Sequence, residues 1–157
     1  IPFHDAPFDL VTTFDVFQYV TDDAAVMRDI ARVLRPGGAL VMTASALDIL
    51  RGGHAGTWPE VRRYTTGRVR AIVEQAGLRV ERLTYLFAVL FPMMVAVRML
   101  RRDRGAAAGA GEDWEMDVPV APVNAALTQM LYVEAAVSRH LPMPFGSSVL
   151  VVARKRG

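Results

Sequence analysis

Apolar residues recur along the first part of the chain with the period of a strand and then with that of a helix. The run Phe8 to Thr13 is apolar and β-rich, which is typical of a buried strand. From Asp22 to Leu34, apolar residues return at the spacing of one helix face, and Thr21 or Asp22 is placed to cap that helix. The pattern therefore predicts a strand followed by an amphipathic helix.

The same alternation continues beyond the first helix. Pro36-Gly37-Gly38 predicts a turn, since proline cannot continue a helix and glycine accepts a positive φ. Ala39 to Thr43 is typical of a second buried strand. Thr66 to Ala76 has one apolar helix face, Gly77 ends that helix, and Leu78 to Tyr85 predicts a third strand. Strands and helices that alternate in this way predict a parallel α/β sheet.

The segment Leu83 to Leu100 is strongly apolar. Pro92 interrupts it and its first residues belong to the preceding strand, so we interpret it as a helix buried in the fold or covering a pocket. The alternative is a contact with a membrane surface. Arg101 to Gly111 is rich in glycine and alanine and is typical of a linker.

A helix and a strand are predicted for the end of the chain. Val123 to Leu141 has helical spacing, and Glu134 lies on or beside its apolar seam. The seam consists of Leu127, Met130, Leu131, Val137 and Leu141. Ser147 to Ala153 alternates small and β-branched residues, and we expect a strand that runs antiparallel at or near the edge of the sheet.

Composition limits the classes of protein to be considered. The chain has 157 residues, 52% of them apolar, and a net charge of +2 without a long basic run, which fits one globular domain with no nucleic-acid partner. It contains no cysteine, which excludes disulfides and a thiolate metal site, and we predict no metal. A reducing compartment is compatible with this composition, so we expect a cytoplasmic protein.

Short motifs follow one another in a definite order. Phe8-Asp9-Leu10-Val11 lies on the first strand, Asp15 to Val20 follows it, and Arg32 to Gly38 precedes the second strand. The later motifs are RRYT at Arg62 to Thr65, AGLRVERL at Ala76 to Leu83 and LPMPFGSSVLVVARK at Leu141 to Lys155. The ordered set resembles the second half of a class I S-adenosylmethionine-dependent methyltransferase, and the later motifs resemble a bacterial subgroup. Each motif alone is common, so the resemblance depends on their order.

The resemblance implies a Rossmann-like sheet of seven strands whose last strand is antiparallel and lies between its neighbours. The four predicted strands then correspond to the fourth to seventh of the family. The glycine-rich loop that holds the methionine part of the cofactor and the acidic residue that holds its ribose are not found in these residues. We therefore expect residues 1–157 to be a partial domain, a fragment whose first strand pairs with sequence outside it. Residues 86–141 would form a helical substrate-cover insertion before the final strand.

Candidate cofactor contacts follow from the same resemblance. At the end of the first strand, Thr13, Phe14 and Asp15 would contact S-adenosylmethionine, and Tyr19 would face the reaction centre. The structural alternative is that Phe14 packs in the core and Asp15 only starts a turn. Family members often carry histidine at the position of Tyr19, whose phenol, with an ordinary pKa near ~10, is a poor general base unless a neighbour shifts it.

Candidate substrate contacts lie in the loop after the second strand. His54 is the candidate general base there, because imidazole titrates near working pH; the alternative is an exposed loop histidine. Trp58, Arg62, Arg63 and Tyr64 are the predicted substrate-binding residues. One of the two arginines would instead pair with a carboxylate such as Glu134 and lock the loop.

Three function classes remain open at this point. The first is a methyltransferase that acts on a small hydrophobic acceptor when intact, with this fragment alone inactive. The second is a non-catalytic, methyltransferase-like remnant that binds a protein or a membrane surface through an unpaired strand edge and its apolar helices. The third is a nucleotide-dependent oxidoreductase with the same sheet. Peripheral membrane contact through the apolar helix is compatible with the first two classes, and the oligomeric state stays undetermined.

Overall fold

The computed structural model describes residues 2–5, 8–46, 60–93, 95–96 and 120–157. Four strands are present in these residues: β1 (Phe8–Phe14), β2 (Leu34–Ser45), β3 (Leu78–Leu86) and β4 (Ser148–Lys155). The helices are α1 (Asp23–Val33), α2 (Thr66–Gln75), α3 (Ala121–Ser138) and a short 3₁₀ helix (Phe17–Tyr19). A further short helical stretch covers 91–93 and 95–96. The mixed α/β fold class predicted from the sequence is confirmed.

The strands form one mixed sheet in the order β1-β2-β4-β3. β1 and β2 are parallel, whereas β4 is antiparallel to both of its neighbours, β2 and β3. The last strand is antiparallel, as predicted, and lies near the edge of the described sheet, one strand in from β3; its placement between neighbours, implied by the resemblance, is also confirmed. Val149, Val151 and Ala153 are fully buried, so β4 is an inner strand rather than the edge strand itself.

Pro36-Gly37-Gly38 does not form a separate turn. β2 begins at Leu34 and includes all three residues, and the pairing with β1 shifts in register between Phe8 and Leu10. Gly37 has φ +77°, a left-handed conformation that glycine adopts without strain. The sequence prediction is wrong because the glycines are accommodated as an irregularity within the strand.

Helix ends follow the sequence more closely. The Asp22 side chain accepts a hydrogen bond from Ala25 N–H at 2.8 Å and caps α1. The Thr65 hydroxyl accepts one from Arg68 N–H at 3.3 Å and caps α2. Gly77, with φ +84°, follows the end of α2 as predicted.

The core lies between one face of the sheet and the two helices α1 and α2. Its central members are Met27, Ile30, Leu40, Met42, Val69, Val73, Leu78 and Val151. On β1, Val11 packs against this cluster, and its register partner Leu40 belongs to it. Every second residue of β1 and β2 therefore points to the helices.

The opposite face of the sheet is more open. Leu10 and Phe14 are 52% and 58% exposed, and their register partners on β2 are Ala39 and Thr43. β1 is the terminal strand of the sheet among the described residues, so one of its edges carries no partner there. Parallel strands are usually covered on both faces, which makes this open apolar face a feature that the function has to explain.

The apolar segment after β3 is less buried than predicted. β3 continues to Leu86, and the side chains of Phe87, Val89 and Met93 are exposed. The interpretation as a buried helix is wrong for these three side chains, because no described element covers them. Residues 97–100 and the predicted linker lie outside the described residues.

The predicted seam of the last helix is also partly open. Met130, Val137 and Leu141 are exposed, and only Leu127 and Leu131 are partly buried. The buried residues of α3 are Glu134 and Ser138, so a polar rather than a fully apolar stripe faces the protein. None of the helices in the described residues combines the length and the apolarity needed to cross a membrane.

Candidate functional site

The carboxyl ends of the three mutually parallel strands lie at one edge of the sheet. β1 ends at Phe14, β2 at Ser45 and β3 at Leu86. Ligands of α/β sheets bind beyond this edge, because the loops that leave the strands can converge there. The residues at the three strand ends are therefore the first candidates for a site.

The two residues at the end of β1 differ in burial. Phe14 is largely exposed, which excludes the alternative that its ring packs in the core of the described chain. The Thr13 hydroxyl is buried and has no hydrogen-bond partner among the described residues. Because buried hydroxyls normally have a partner, Thr13 Oγ1 is an available polar group near the end of β1, on the same side of the strand as Val11.

Asp15 has an unusual backbone conformation directly after β1. Its φ is +52°, a region that non-glycine residues seldom adopt, and its N–H donates to Thr43 O at 3.1 Å. Burial raises the pKa of the Asp15 carboxyl; a hydrogen bond with Thr43 opposes this shift and the nearby Glu60 adds to it. Strained residues cluster at functional sites, so the conformation is compatible with a role in binding.

Gln18 connects the 3₁₀ helix to the end of β2. Its side chain is buried, and its Oε1 accepts a hydrogen bond from Ser45 N–H at 3.4 Å. Its backbone carbonyl accepts from Val61 N–H at 2.7 Å and from Arg62 N–H at 3.4 Å. Gln18 therefore positions the segment that follows β1 against the segment that precedes α2, a role that its sequence neighbourhood does not indicate.

A buried ionic cluster surrounds Asp23 at the start of α1. The Asp23 side chain is almost completely buried, and its Oδ2 accepts from the Tyr64 hydroxyl at 3.0 Å. Arg62 and Arg68 each place a guanidinium nitrogen 2.9 Å from the same oxygen. Burial on its own would raise the pKa of Asp23, but the donors from Arg68, Arg62 and Tyr64 hold it below its ordinary value.

Tyr64 is the central aromatic residue of this cluster. Its side chain is fully buried, and its hydroxyl also donates toward Phe17 O at 3.1 Å. Burial, followed by the charge of Asp23, raises the pKa of Tyr64 well above that of a free phenol. These contacts account for Tyr64 and Arg62 as residues that hold the scaffold together, although both were predicted from the sequence to bind substrate.

Arg63 forms a second pair on the neighbouring side of the same segment. Its Nε lies 2.8 Å from Glu60 Oε2, and its Nη1 donates to Ala46 O at 3.2 Å. An arginine of this segment thus pairs with a carboxylate, as predicted, but Glu134 is the wrong partner. Glu134 belongs to α3 and instead accepts a hydrogen bond from Val89 N–H, and nearer carboxylates neutralise both arginines.

The remaining predicted residues are less closely defined. Tyr19 is 44% exposed on the 3₁₀ helix, so its hydroxyl is open to solvent or to a ligand. His54 and Trp58 lie outside the described residues. Catalytic roles for Tyr19 and His54 and a substrate contact for Trp58 therefore stay predictions.

A groove opens between the end of β3 and α3. Its volume is about 430 Å³, within the range of small-molecule sites. Its lining consists of Leu86, Phe87, Thr128, Leu131, Tyr132, Glu134 and Ala135. The groove is apolar except for the Thr128 and Tyr132 hydroxyls and the Glu134 carboxylate. No residue of this groove other than Glu134 was singled out from the sequence as chemically significant.

Comparison with known proteins identifies the fold. A sequence model described as a methyltransferase domain matches residues 1–42. A demethylmenaquinone methyltransferase of Roseiflexus castenholzii is 34% identical over 110 residues, which cover 67% of this chain and 43% of that protein. The chain therefore spans less than half the length of this relative.

Solved structures extend the likeness over nearly the whole chain. Haemonchus contortus phosphoethanolamine N-methyltransferase 2, in complex with S-adenosyl-L-methionine, matches 99% of this chain and 35% of its own with a TM-score of 0.52 at 16% identity. The [4+2]-cyclase SpnF matches 99% of this chain and 52% of its own with a TM-score of 0.52 at 17% identity. At such identities the likeness establishes the fold alone, and the cyclase demonstrates that this fold does not determine the reaction.

Proposed function

Because the chain belongs to the class I, S-adenosylmethionine-dependent methyltransferases, we propose that it forms the carboxyl-terminal part of an enzyme that methylates a small, apolar acceptor. The residues at the end of β1 carry the cofactor side of this proposal. Thr13 Oγ1 is buried without a described partner on the helix-facing side of β1, and the exposed Phe14 ring lies on the opposite, open side. At the end of the strand, a hydroxyl and a ring can therefore border a small amphiphilic cofactor from the two faces of the sheet.

The cofactor brings a methyl group that its sulfonium already activates, so the protein needs chiefly to align the acceptor and exclude water. In this account Thr13 supplies a hydrogen bond and Phe14 an apolar contact to the cofactor. Asp15, with its raised pKa, places a carboxyl group between the cofactor and the segment at Glu60. Arg62 and Tyr64 position that segment through Asp23.

The rest of the cofactor site is assigned to sequence outside this chain. The edge of β1 that has no partner among the described residues and the exposed Leu10 and Phe14 support this assignment, since an interior parallel strand needs a neighbour and a covering layer. The chain also covers only 43% of the Roseiflexus relative. The 157 residues by themselves are then expected to be inactive.

An apolar acceptor is supported by the groove between β3 and α3. Its walls are mainly aliphatic and aromatic, which favours a ligand that buries an apolar body. The name of the Roseiflexus relative specifies demethylmenaquinone, an apolar acceptor, for that protein. We extend only the apolar character of the acceptor to this chain.

Transfer of a labelled methyl group tests the proposed function directly. The full-length protein is incubated with labelled S-adenosylmethionine and a panel of apolar and polar hydroxyl and amine acceptors. We expect label in apolar acceptors, and about a tenfold higher cofactor KM for Thr13→Val, which corresponds to ~1.4 kcal/mol for one lost hydrogen bond. Thr21→Val is the matched control, since Thr21 is exposed, does not belong to β1 and should leave KM unchanged. Transfer to polar acceptors alone, or equal effects of the two variants, would contradict the proposal.

We also propose that an exposed apolar surface on α3 and the segment after β3 contacts a lipid bilayer. On α3, Val123, Met130, Val133 and Val137 are exposed and recur at helical spacing, so they form one face. Further exposed apolar side chains follow β3 and α3: Val89, Met93, Leu141 and Phe145. Among the described residues of these two segments the acidic residue is Glu134, which is buried, whereas Arg139 and His140 are exposed. An apolar face that is flanked by Arg139 and carries no exposed carboxylate among the described residues fits an anionic membrane surface.

Sedimentation with vesicles of phosphatidylcholine and phosphatidylglycerol tests this contact. The full-length protein should sediment with the vesicles, and Val133→Asp should reduce the bound fraction several-fold. Ala71→Asp is the control, because Ala71 is exposed on α2, away from the apolar surface. If the protein stays in solution and Val133→Asp instead dissociates a dimer, the surface binds a second copy of the protein and the membrane proposal is wrong.

A further inference from the structure

Glu134 is a buried carboxylate that has no positively charged partner among the described residues. Its side chain is 5% exposed, and its Oε2 accepts a hydrogen bond from Val89 N–H at 2.9 Å. Within the described part of the chain, that bond is its only polar contact. A carboxylate can accept about four hydrogen bonds, and an uncompensated buried charge is costly. Glu134 can therefore accept further hydrogen bonds, and leaving them unmade inside the protein costs free energy.

The unused oxygen belongs to a residue that lines the groove between β3 and α3. Leu86 and Phe87 form one wall of the groove, and Leu131 and Tyr132 form part of the other. The groove lies at the carboxyl end of β3, on the same sheet edge as Phe14. Since β2 and β4 lie between β3 and β1, the two strand ends are separated by three interstrand spacings, roughly 14 Å. That separation leaves room for one extended ligand to reach from the groove toward the end of β1.

We propose that part of the acceptor binds in this groove, where Glu134 holds a polar group of the acceptor. Glu134 then selects acceptors that carry a hydrogen-bond donor. The ligand class is an apolar molecule with a hydroxyl or amine group, which donates to Glu134 while its apolar body contacts Leu131 and Tyr132. A purely apolar molecule would leave the carboxylate buried and unpaired, so it binds less well. The inference rests on the proposed function, which supplies the reason for an acceptor at this edge.

Three probes with the same ring and different substituents test the selection. Naphthalenemethanol offers a hydroxyl donor, naphthylmethylamine offers a charged amine donor, and methylnaphthalene offers none. Calorimetric titration of the full-length protein should give at least about tenfold tighter binding for one or both donor probes than for methylnaphthalene. The tighter of the two donors identifies the polar group that Glu134 binds. Equal affinities for all three probes would overturn the proposal.

Variants connect the selection to the carboxylate. Glu134→Gln retains the shape and can still accept from Val89 N–H, but it removes the charge, so the amine probe should lose about tenfold in affinity while methylnaphthalene does not. Glu74→Gln, at an exposed glutamate of α2, is the matched control. Ala135→Phe, at an exposed position on the groove wall, should block all three probes without disturbing the core. Unchanged amine binding in Glu134→Gln would contradict the assignment.

The outcomes also separate this inference from the proposed function. If the probes bind as expected but no acceptor is methylated, the groove stands as a ligand site and the methyltransferase proposal fails. If apolar acceptors are methylated equally well by Glu134→Gln and none of the probes shows a preference, the methyltransferase proposal stands and the assignment of Glu134 is wrong.

Discussion

One phenolic hydroxyl connects the segment before α2 to α1 and the 3₁₀ helix. Tyr64→Phe removes its hydrogen bonds to Phe17 O and Asp23 Oδ2 and keeps the ring in place. Because one partner is a buried carboxylate, we expect the free energy of unfolding to fall by about 2 kcal/mol. Denaturant unfolding measures the change. Tyr132→Phe is the control, since Tyr132 is 67% exposed and its hydroxyl should contribute little; equal effects of the two variants would contradict this role.

Asp23 predicts a pH dependence of stability. The pKa of Asp23 in the folded protein lies below its ordinary value. Asp23 therefore contributes fully to the free energy of unfolding at pH values above its unfolded-state pKa of about 4, and this contribution is lost as the pH falls through the pKa of the folded state. The difference in unfolding free energy between the wild type and Asp23→Asn should therefore be largest near pH ~7 and shrink toward about pH 3. Thermal unfolding across this range measures it. A difference that stays constant with pH would indicate that the charge of Asp23 is not what stabilises the cluster.

The contact between Tyr64 and Asp23 could not be predicted from the sequence. The RRYT motif predicts an aromatic residue and two cations at a substrate site. In the structure, Tyr64 and Arg62 instead contact Asp23, which lies at the start of α1, 41 positions before Tyr64. A carboxylate at the start of a helix is usually explained by helix capping alone, so the sequence contains no indication of this pairing.

At the level of elements, the segment that leads into β4 requires a glycine at position 146. A Cβ on Gly146 would lie 2.1 Å from Leu86 O, at the end of β3 and beside the groove. Gly146→Ala should therefore displace the chain at this point and destabilise the protein by about 2 kcal/mol, as overpacking generally does. The control is Gly67→Ala in α2, where a Cβ meets only the Thr65 hydroxyl at 4.0 Å and helix propensity should increase stability. Melting temperatures that fall equally in both variants would contradict this account.

Strands and helices with one clear period were predicted close to their observed bounds, as α1 and β3 show. What the pattern leaves open has a common physical cause, because burial depends on what covers a segment. The alternation of β4 fits an edge strand as well as the inner strand that it forms, and Phe87, Val89 and Met93 are apolar but exposed. Periodicity reports the preference of a segment, whereas its neighbours in the sheet decide its burial.

At the level of the whole molecule, the open face of the sheet and the available Thr13 hydroxyl have one explanation. Both belong to β1, the terminal strand among the described residues. In the proposed enzyme, sequence outside this chain pairs with β1, covers Leu10 and completes the cofactor site beside Phe14. The resemblance in motif order predicted this arrangement, but the substrate groove at α3 could not be predicted, because it forms only when α3 packs near the end of β3.

Calorimetric titration with S-adenosylhomocysteine, the product form of the cofactor, tests this central claim most directly. The full-length protein and the 157-residue chain alone are titrated under the same conditions, with circular dichroism to establish that both are folded. We predict that the full-length protein binds and that the isolated chain binds weakly or not at all, because it supplies one wall of the site. Micromolar affinity of the isolated chain, or no binding by the full-length protein, would contradict the account.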